Sequence, residues 1–227
     1  DDINPINAPR VGLWAETGSL SQYSIGEIWH FFDAQLQYPL TLFNDASMDN
    51  DDLDQFDVII LPNGSYRNVD SEHKALMSAI VDWVERGGKL IAVQGAVNYL
   101  SRHEQFPITM KTENGDSDLE IQNPRYGAYA QRRREAISKA VTGAIFNVSL
   151  DATHPLAYGY GKRYFTLKLD SRGYEPLEGG WNVGFLGKDG LMSGFAGAEA
   201  QKQLSESLVF GVDRKGSGHV VYLADNP

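Results

Sequence analysis

Apolar residues fall into two periods along this chain. Val11–Ala15, Leu40–Phe43, Val58–Leu61 and Leu90–Val93 are short unbroken apolar runs bounded by Pro, Gly or polar clusters. Such runs predict strands buried on both faces. Between them the spacing becomes helical. Ile25, Ile28, Trp29, Phe32 and Leu36 recur at i, i+3, i+4, i+7 and i+11 behind Ser24 as an N-cap. This stripe predicts a helix lying on the sheet, with burial of Trp29 or Phe32 stabilising by about 1.5–3 kcal/mol each. Leu76, Ile80, Trp83 and Val84 mark the next helix, which Gly87 closes.

Strand, helix, strand, strand, helix, strand is the order of an α/β fold, a doubly wound, flavodoxin-like parallel sheet. The second half is less regular and predicts a β-rich insertion. Arg125–Ala140 reads as a helix and Thr112–Asp118 as a polar surface loop. Ala144–Leu150, Tyr164–Leu169, Val183–Leu186, Ser207–Val212 and Gly218–Leu223 read as strands. The 227 residues fit one large domain, or one domain with a subdomain, and show no internal repeat.

The stretch Val81–Leu100, VDWVERGGKLIAVQGAVNYL, carries the most specific signal. A helix ends at Gly87-Gly88, a buried strand follows, and the chain turns through Gln94-Gly95-Ala96 into another helix. Hydrolases and amidotransferases with α/β folds place a Ser or Cys nucleophile on such a turn. Here it holds Gln94, Gly95 and Ala96, so no catalytic residue is assigned. Ligands of doubly wound sheets bind beyond the carboxyl ends of the strands. That topology puts Glu16, Asn63, Gly64, Gln94 and Gly95 on one rim, the candidate ligand-binding residues.

Charge and composition narrow the classes further. Thirty acidic against 20 basic residues give a net charge of -10, which argues against nucleic acid as a partner. The one basic cluster, Arg132-Arg133-Arg134, is followed by Glu135 and reads as a solvated helix face. There is no cysteine, which excludes disulfides, thiolate metal sites and a cysteine nucleophile. Five dispersed histidines supply no tetrahedral set, so no metal is expected in this chain. His30 and Asp33, three residues apart on the amphipathic helix, read as surface residues of that helix, and His154 before Pro155 as a turn residue. Tyr158, Tyr160, Tyr164 and Trp181 form an aromatic patch that reads first as core. No apolar run reaches the ~18 residues of a membrane span.

Several long strings are similar to the class I glutamine amidotransferase-like fold: DVIILPNG, the elbow stretch, and the closing GHVVYLADNP. With GEIWHFFD, RRREAISKAVTGAIF, LDATHPLAYGYG and GWNVGFL, the chain resembles more narrowly a domain found C-terminal to the catalytic domain in bacterial zinc carboxypeptidase-like proteins. The resemblance spans nearly the whole chain. It implies a single amidotransferase-like domain over residues 1–227, excised from a longer polypeptide and lacking a closing helix. It also implies a periplasmic or extracellular location, zinc only in the parent's peptidase domain, and that domain as the partner, with self-association as a further possibility. Catalytic relatives carry a Cys at the elbow, and the alignment sets Gln94 there to within one residue. Gln is no nucleophile, and loss of the nucleophile from a triad leaves only about 10³–10⁴-fold rate enhancement over water.

The leading expectation is therefore a non-catalytic accessory domain of a metallocarboxypeptidase-like parent, exposing an apolar surface for contact. An active hydrolase using a non-cysteine rim residue is the second class. A carbohydrate-binding or oligomerising module, like the amidotransferase-like middle domain of certain β-galactosidases, is the third.

Overall fold

The computed structural model describes residues 7–16, 18–44, 50–111 and 129–225. The polar loop expected at Thr112–Asp118 lies outside them. The chain divides into two compact units, Asp1–Leu100 with Val212–Leu223, and Ser101–Gly211 with Ala224–Pro227. Among the described residues nine strands and their helices make a mixed α/β fold.

In the first unit, β1 (Val11–Trp14), β2 (Leu40–Phe43), β3 (Val58–Leu61), β4 (Lys89–Val93) and β9 (Gly218–Leu223) run in the order β2-β1-β3-β4-β9. Every adjacent pair in this series is parallel. That is the flavodoxin-like 2-1-3-4-5 order, in which ligand sites lie at the carboxyl ends of the strands. Leu13, Trp14, Ile59, Leu61, Leu90 and Ala92 are fully buried, as strands covered on both faces require. Helix α3 (Lys74–Arg86) follows the short α2 (Val69–Glu72) and buries Leu76, Met77, Ile80, Val81, Trp83 and Val84. Gly87, at φ 131°, closes it.

Helix α1 (Gln22–His30) departs from expectation. Its N-cap is Ser21, whose hydroxyl accepts the Ser24 N–H, not Ser24 itself. Ser24 and Ile25 are buried, but Trp29 is 48% and Leu36 51% exposed. The stripe therefore does not lie on the sheet along its length. From Phe31 to Leu36 the helix widens to π geometry and then stops at Gln37 (φ 50°). The i→i+5 spacing of a π segment breaks the 3.6-residue period that the i+7 and i+11 steps presuppose.

The second unit is built on β5 (Val141–Leu150), which pairs antiparallel with β6 (Arg163–Lys168) and β7 (Trp181–Ala196). β8 (Leu208–Lys215) follows β7 in the strand order. Ala144, Phe146, Val148, Leu186, Ala196 and Val209 form its core with Leu204 of α6 (Ala198–Leu204). Helix α5 (Tyr129–Lys139) exposes Arg132, Arg133 and Arg134, as a solvated basic face does. Two charges are buried here. Lys168, 3% exposed, donates to Asp225 Oδ1 at 2.7 Å and to the Arg172 carbonyl at 3.0 Å. Thr166 Oγ1 donates to Asp225 Oδ2 at 3.0 Å, so both carboxylate oxygens have a donor.

At the amino ends of the first unit's strands, Arg10 and Asp57 form a two-pronged ion pair at 3.0–3.1 Å, and Arg86 meets Asp54 at 2.7 Å. Together with Lys89 they line a 240 Å³ hollow. The Arg10 guanidinium and backbone amide hold the Asp57 carboxyl at about 2, below its ordinary 3.8. A depressed acid contributes stability above its unfolded pKa and loses it as pH falls to the folded one. Asp57→Asn should thus lower the melting temperature at pH 6 slightly and make no difference at about pH 2, since both groups are largely exposed. Equal losses at both pH values would contradict the assignment.

Candidate functional site

The elbow is present in the backbone. After β4, Gln94 sits at φ 46°, in the left-handed region, and Gly95 opens α4 (Gly95–Leu100). A non-glycine residue in that region is strained, and such strain is characteristic of nucleophile turns. Gln94 is fixed from below, its N–H donating to the Leu223 carbonyl at 2.8 Å. The strained position carries a neutral amide side chain with no nucleophilic atom.

The next residue shows why the turn is closed as well as unarmed. In hydrolases built on this turn, the N–H following the nucleophile stabilises the oxyanion. Here the Gly95 N–H donates to Asn63 Oδ1 at 3.0 Å. A side chain of this protein therefore occupies the acceptor position. The backbones also touch: a Cβ on Gly95 would overlap the Gly64 carbonyl oxygen and come within 2.8 Å of Asn63 Oδ1. Glycine is needed for that approach.

Asn63 and Gly64 are held in turn by the loop before α1. The Ser21 N–H donates to the Asn63 carbonyl at 2.9 Å, and the Asn63 N–H to Ser24 Oγ at 3.1 Å. The Ser65 N–H donates to the Ser19 carbonyl at 2.9 Å, and Gly64 bridges Leu20. Three loops at the carboxyl ends of β1, β3 and β4 are thus stitched together. Of the expected rim residues, Asn63, Gly64, Gln94 and Gly95 converge. Glu16 is half-buried two residues past β1. Sequence reading missed Ser19, Ser21 and Ser24 as the residues that hold the Asn63 turn. Their only signal was a serine-rich segment ahead of a helix.

An aromatic cluster supports the rim. Tyr66, itself at φ 53°, stacks on Tyr99 of α4 at 5.1 Å, while Trp14 lies 5.8 Å from Tyr66 and 5.6 Å from His73. Tyr66 Oη donates to the Pro62 carbonyl at 2.7 Å and Tyr99 Oη to Asp70 at 2.6 Å. Burial, reinforced at Tyr99 by the Asp70 hydrogen bond, raises both phenols, so neither supplies a phenolate near neutral pH.

Other candidates resolve as structural residues or surface. His154 Nδ1 accepts the Leu156 N–H at 3.2 Å and caps the 3₁₀ turn Pro155–Ala157. His30 and Asp33 are exposed on α1 and its π extension. Among the described residues no three His, Asp or Glu side chains gather to hold a metal ion, and no helix is long and apolar enough to cross a membrane. Of the aromatic patch, Tyr164 is half-buried and packs against the core of this unit, whereas Tyr158 is 71%, Tyr160 61% and Trp181 49% exposed. The three exposed rings stand on a turn and at the start of β7, and Tyr160 lies 5.9 Å from the Tyr164 ring.

No known protein family and no curated protein matches the sequence. Solved structures do match the fold. A glutamine amidotransferase from Thermotoga maritima superposes with a TM-score of 0.58 at 7% identity, over 96% of this chain and 76% of that one. A protein described as ThuA-like from Parabacteroides merdae gives 0.56 at 9% identity, over 96% and 79%. One from Thermoplasma acidophilum, described as belonging to a GMP synthase, gives 0.54 at 9% identity, over 96% and 84%. The fold is that of the class I glutamine amidotransferase-like proteins, of the α/β, flavodoxin-like kind. At such identities the likeness extends to the fold alone.

Proposed function

We propose that this chain is a non-catalytic accessory domain, an amidotransferase-like scaffold that works by contact. The observation that carries the reading is the Gly95 N–H bonded to Asn63 Oδ1 beside a Gln at the elbow. Nucleophile and oxyanion donor are both unavailable, while the scaffold around them is intact. The sequence resemblance supplies the partner: the zinc-dependent peptidase domain of a carboxypeptidase-like polypeptide, periplasmic or extracellular, which would hold the zinc and perform the hydrolysis. Titration calorimetry of the 227-residue chain against that separately expressed peptidase domain tests the reading. Saturable heat at 1:1 stoichiometry is expected. No heat, together with unchanged peptidase turnover, would remove the accessory role.

The exposed Tyr158, Tyr160 and Trp181 favour a second reading, a carbohydrate-binding module, because stacked sugars bind exposed rings of this kind. Quenching of tryptophan fluorescence by oligosaccharides, lost in Trp181→Ala, would support it over the first.

A further inference from the structure

The β6–β5–β7 sheet of the second unit is apolar on both faces, which an antiparallel sheet with one solvated side does not require. Inward, Ala144, Phe146 and Val148 belong to the core. Outward, Ile145 pairs with Leu167 and Asn147 with Phe165, and Phe165 is 61%, Leu167 52% and Leu169 64% exposed. β6 also ends the strand order among the described residues. Lys162 aims its carbonyl at the Leu150 N–H, 2.8 Å away. Alternation along a strand then points Tyr164, Thr166 and Lys168 at β5 and turns the N–H and C=O groups of Phe165 and Leu167 to the open edge. Proteins guard open edges with Pro, bulges or a bare inward charge. β6 has no Pro and no register shift, its inward Lys168 is neutralised by Asp225, and its one exposed charge, Arg163, sits at the amino end of the strand.

We propose that β6 is a self-association edge: two copies of this chain pair their β6 strands antiparallel about a two-fold axis through Thr166. Phe165 then lies opposite Leu167 of the second copy, and the two exchange both backbone hydrogen bonds. Just beyond the strand ends the same register brings Lys162 towards Asp170 of the second copy, an acid that already meets Arg172 at 2.9 Å. Moving the axis to Lys168 would oppose two lysines. Moving it to Tyr164 would leave Leu167 without its apolar partner. At the seam Phe165 and Leu167 of the two copies shield one another's flanks as a cross-strand pair while the sheet face stays open. That places the dimer among small, reversible interfaces.

Sedimentation velocity from about 1 mM to about 1 µM should show a monomer–dimer equilibrium, a range that brackets weak association. Hydrogen exchange should protect the Phe165 and Leu167 amides at the high end only. Leu167→Pro removes an outward N–H that β5 does not use, and an edge strand tolerates Pro there, so this variant should be monomeric throughout. The native chain has no cysteine, so Phe165→Cys with Leu167→Cys gives a second readout should the Pro variant not fold. The double variant should oxidise to a covalent dimer, and neither single variant should, because 165 and 167 each face the other and not themselves. A chain monomeric at every concentration, a dimer that persists in Leu167→Pro, or a double variant that fails to cross-link would overturn the proposal.

Discussion

Asp225→Ala should lower the stability of the chain by about 3–5 kcal/mol, the usual cost of leaving a buried charge without its partner. Lys168 is 3% exposed and Asp225 6%, and their 2.7 Å contact is the only charge-matching bond described for Lys168 at hydrogen-bond length. The Arg172 carbonyl would remain as an acceptor, but a neutral one. Thr166 Oγ1 would lose its acceptor as well. Urea denaturation should show the lower midpoint. Replacing both charges, as Lys168→Met with Asp225→Leu, should recover most of the loss, since a well-packed apolar pair often matches a buried ion pair. A loss below about 1 kcal/mol in Asp225→Ala would mean that water reaches the pair.

Gly95→Ala should cost about 3 kcal/mol or more, at the top of the range for overpacking a closed site. The added methyl would press on the Gly64 carbonyl and Asn63 Oδ1, and Gly64 cannot retreat, because a Cβ placed there would itself meet the Ser19 carbonyl at 2.7 Å. Ala96, one residue later and equally buried, has its methyl already accommodated. Ala96→Gly should therefore cost only about 1 kcal/mol, through backbone entropy. Comparable losses for the two substitutions would show that the rim loops are not locked together.

The parallel half of the fold was legible because its strands are short, apolar and punctuated. The β2, β3 and β9 boundaries fall where the runs begin and end, and β1 stops one residue before the expected Ala15. The second half was less so. β7 runs for 16 residues through Gly187-Lys188-Asp189-Gly190, a string with the chemistry of a hairpin turn. It stays a strand because register shifts against β5 absorb the extra residues. The α1 stripe misled for the opposite reason: its apolar spacing was real, but a π segment took Phe32 and Leu36 off the helical period, and Trp29, still in the regular helix, is exposed. At the rim, Gln94 announced the missing nucleophile in one letter. The occupation of the Gly95 amide could not be read, since Asn63 lies 32 residues away and only the serine loop brings it there.

The most direct measurement is turnover of glutamine and of an activated ester by the purified chain, beside Gln94→Ala and Gln94→Cys. The expected result is a rate equal to buffer for the native chain and Gln94→Ala. Gln94→Cys should stay there too, because the thiol would face an amide already bonded to Asn63. Turnover by the native chain that falls on Gln94→Ala would contradict the non-catalytic reading at its root.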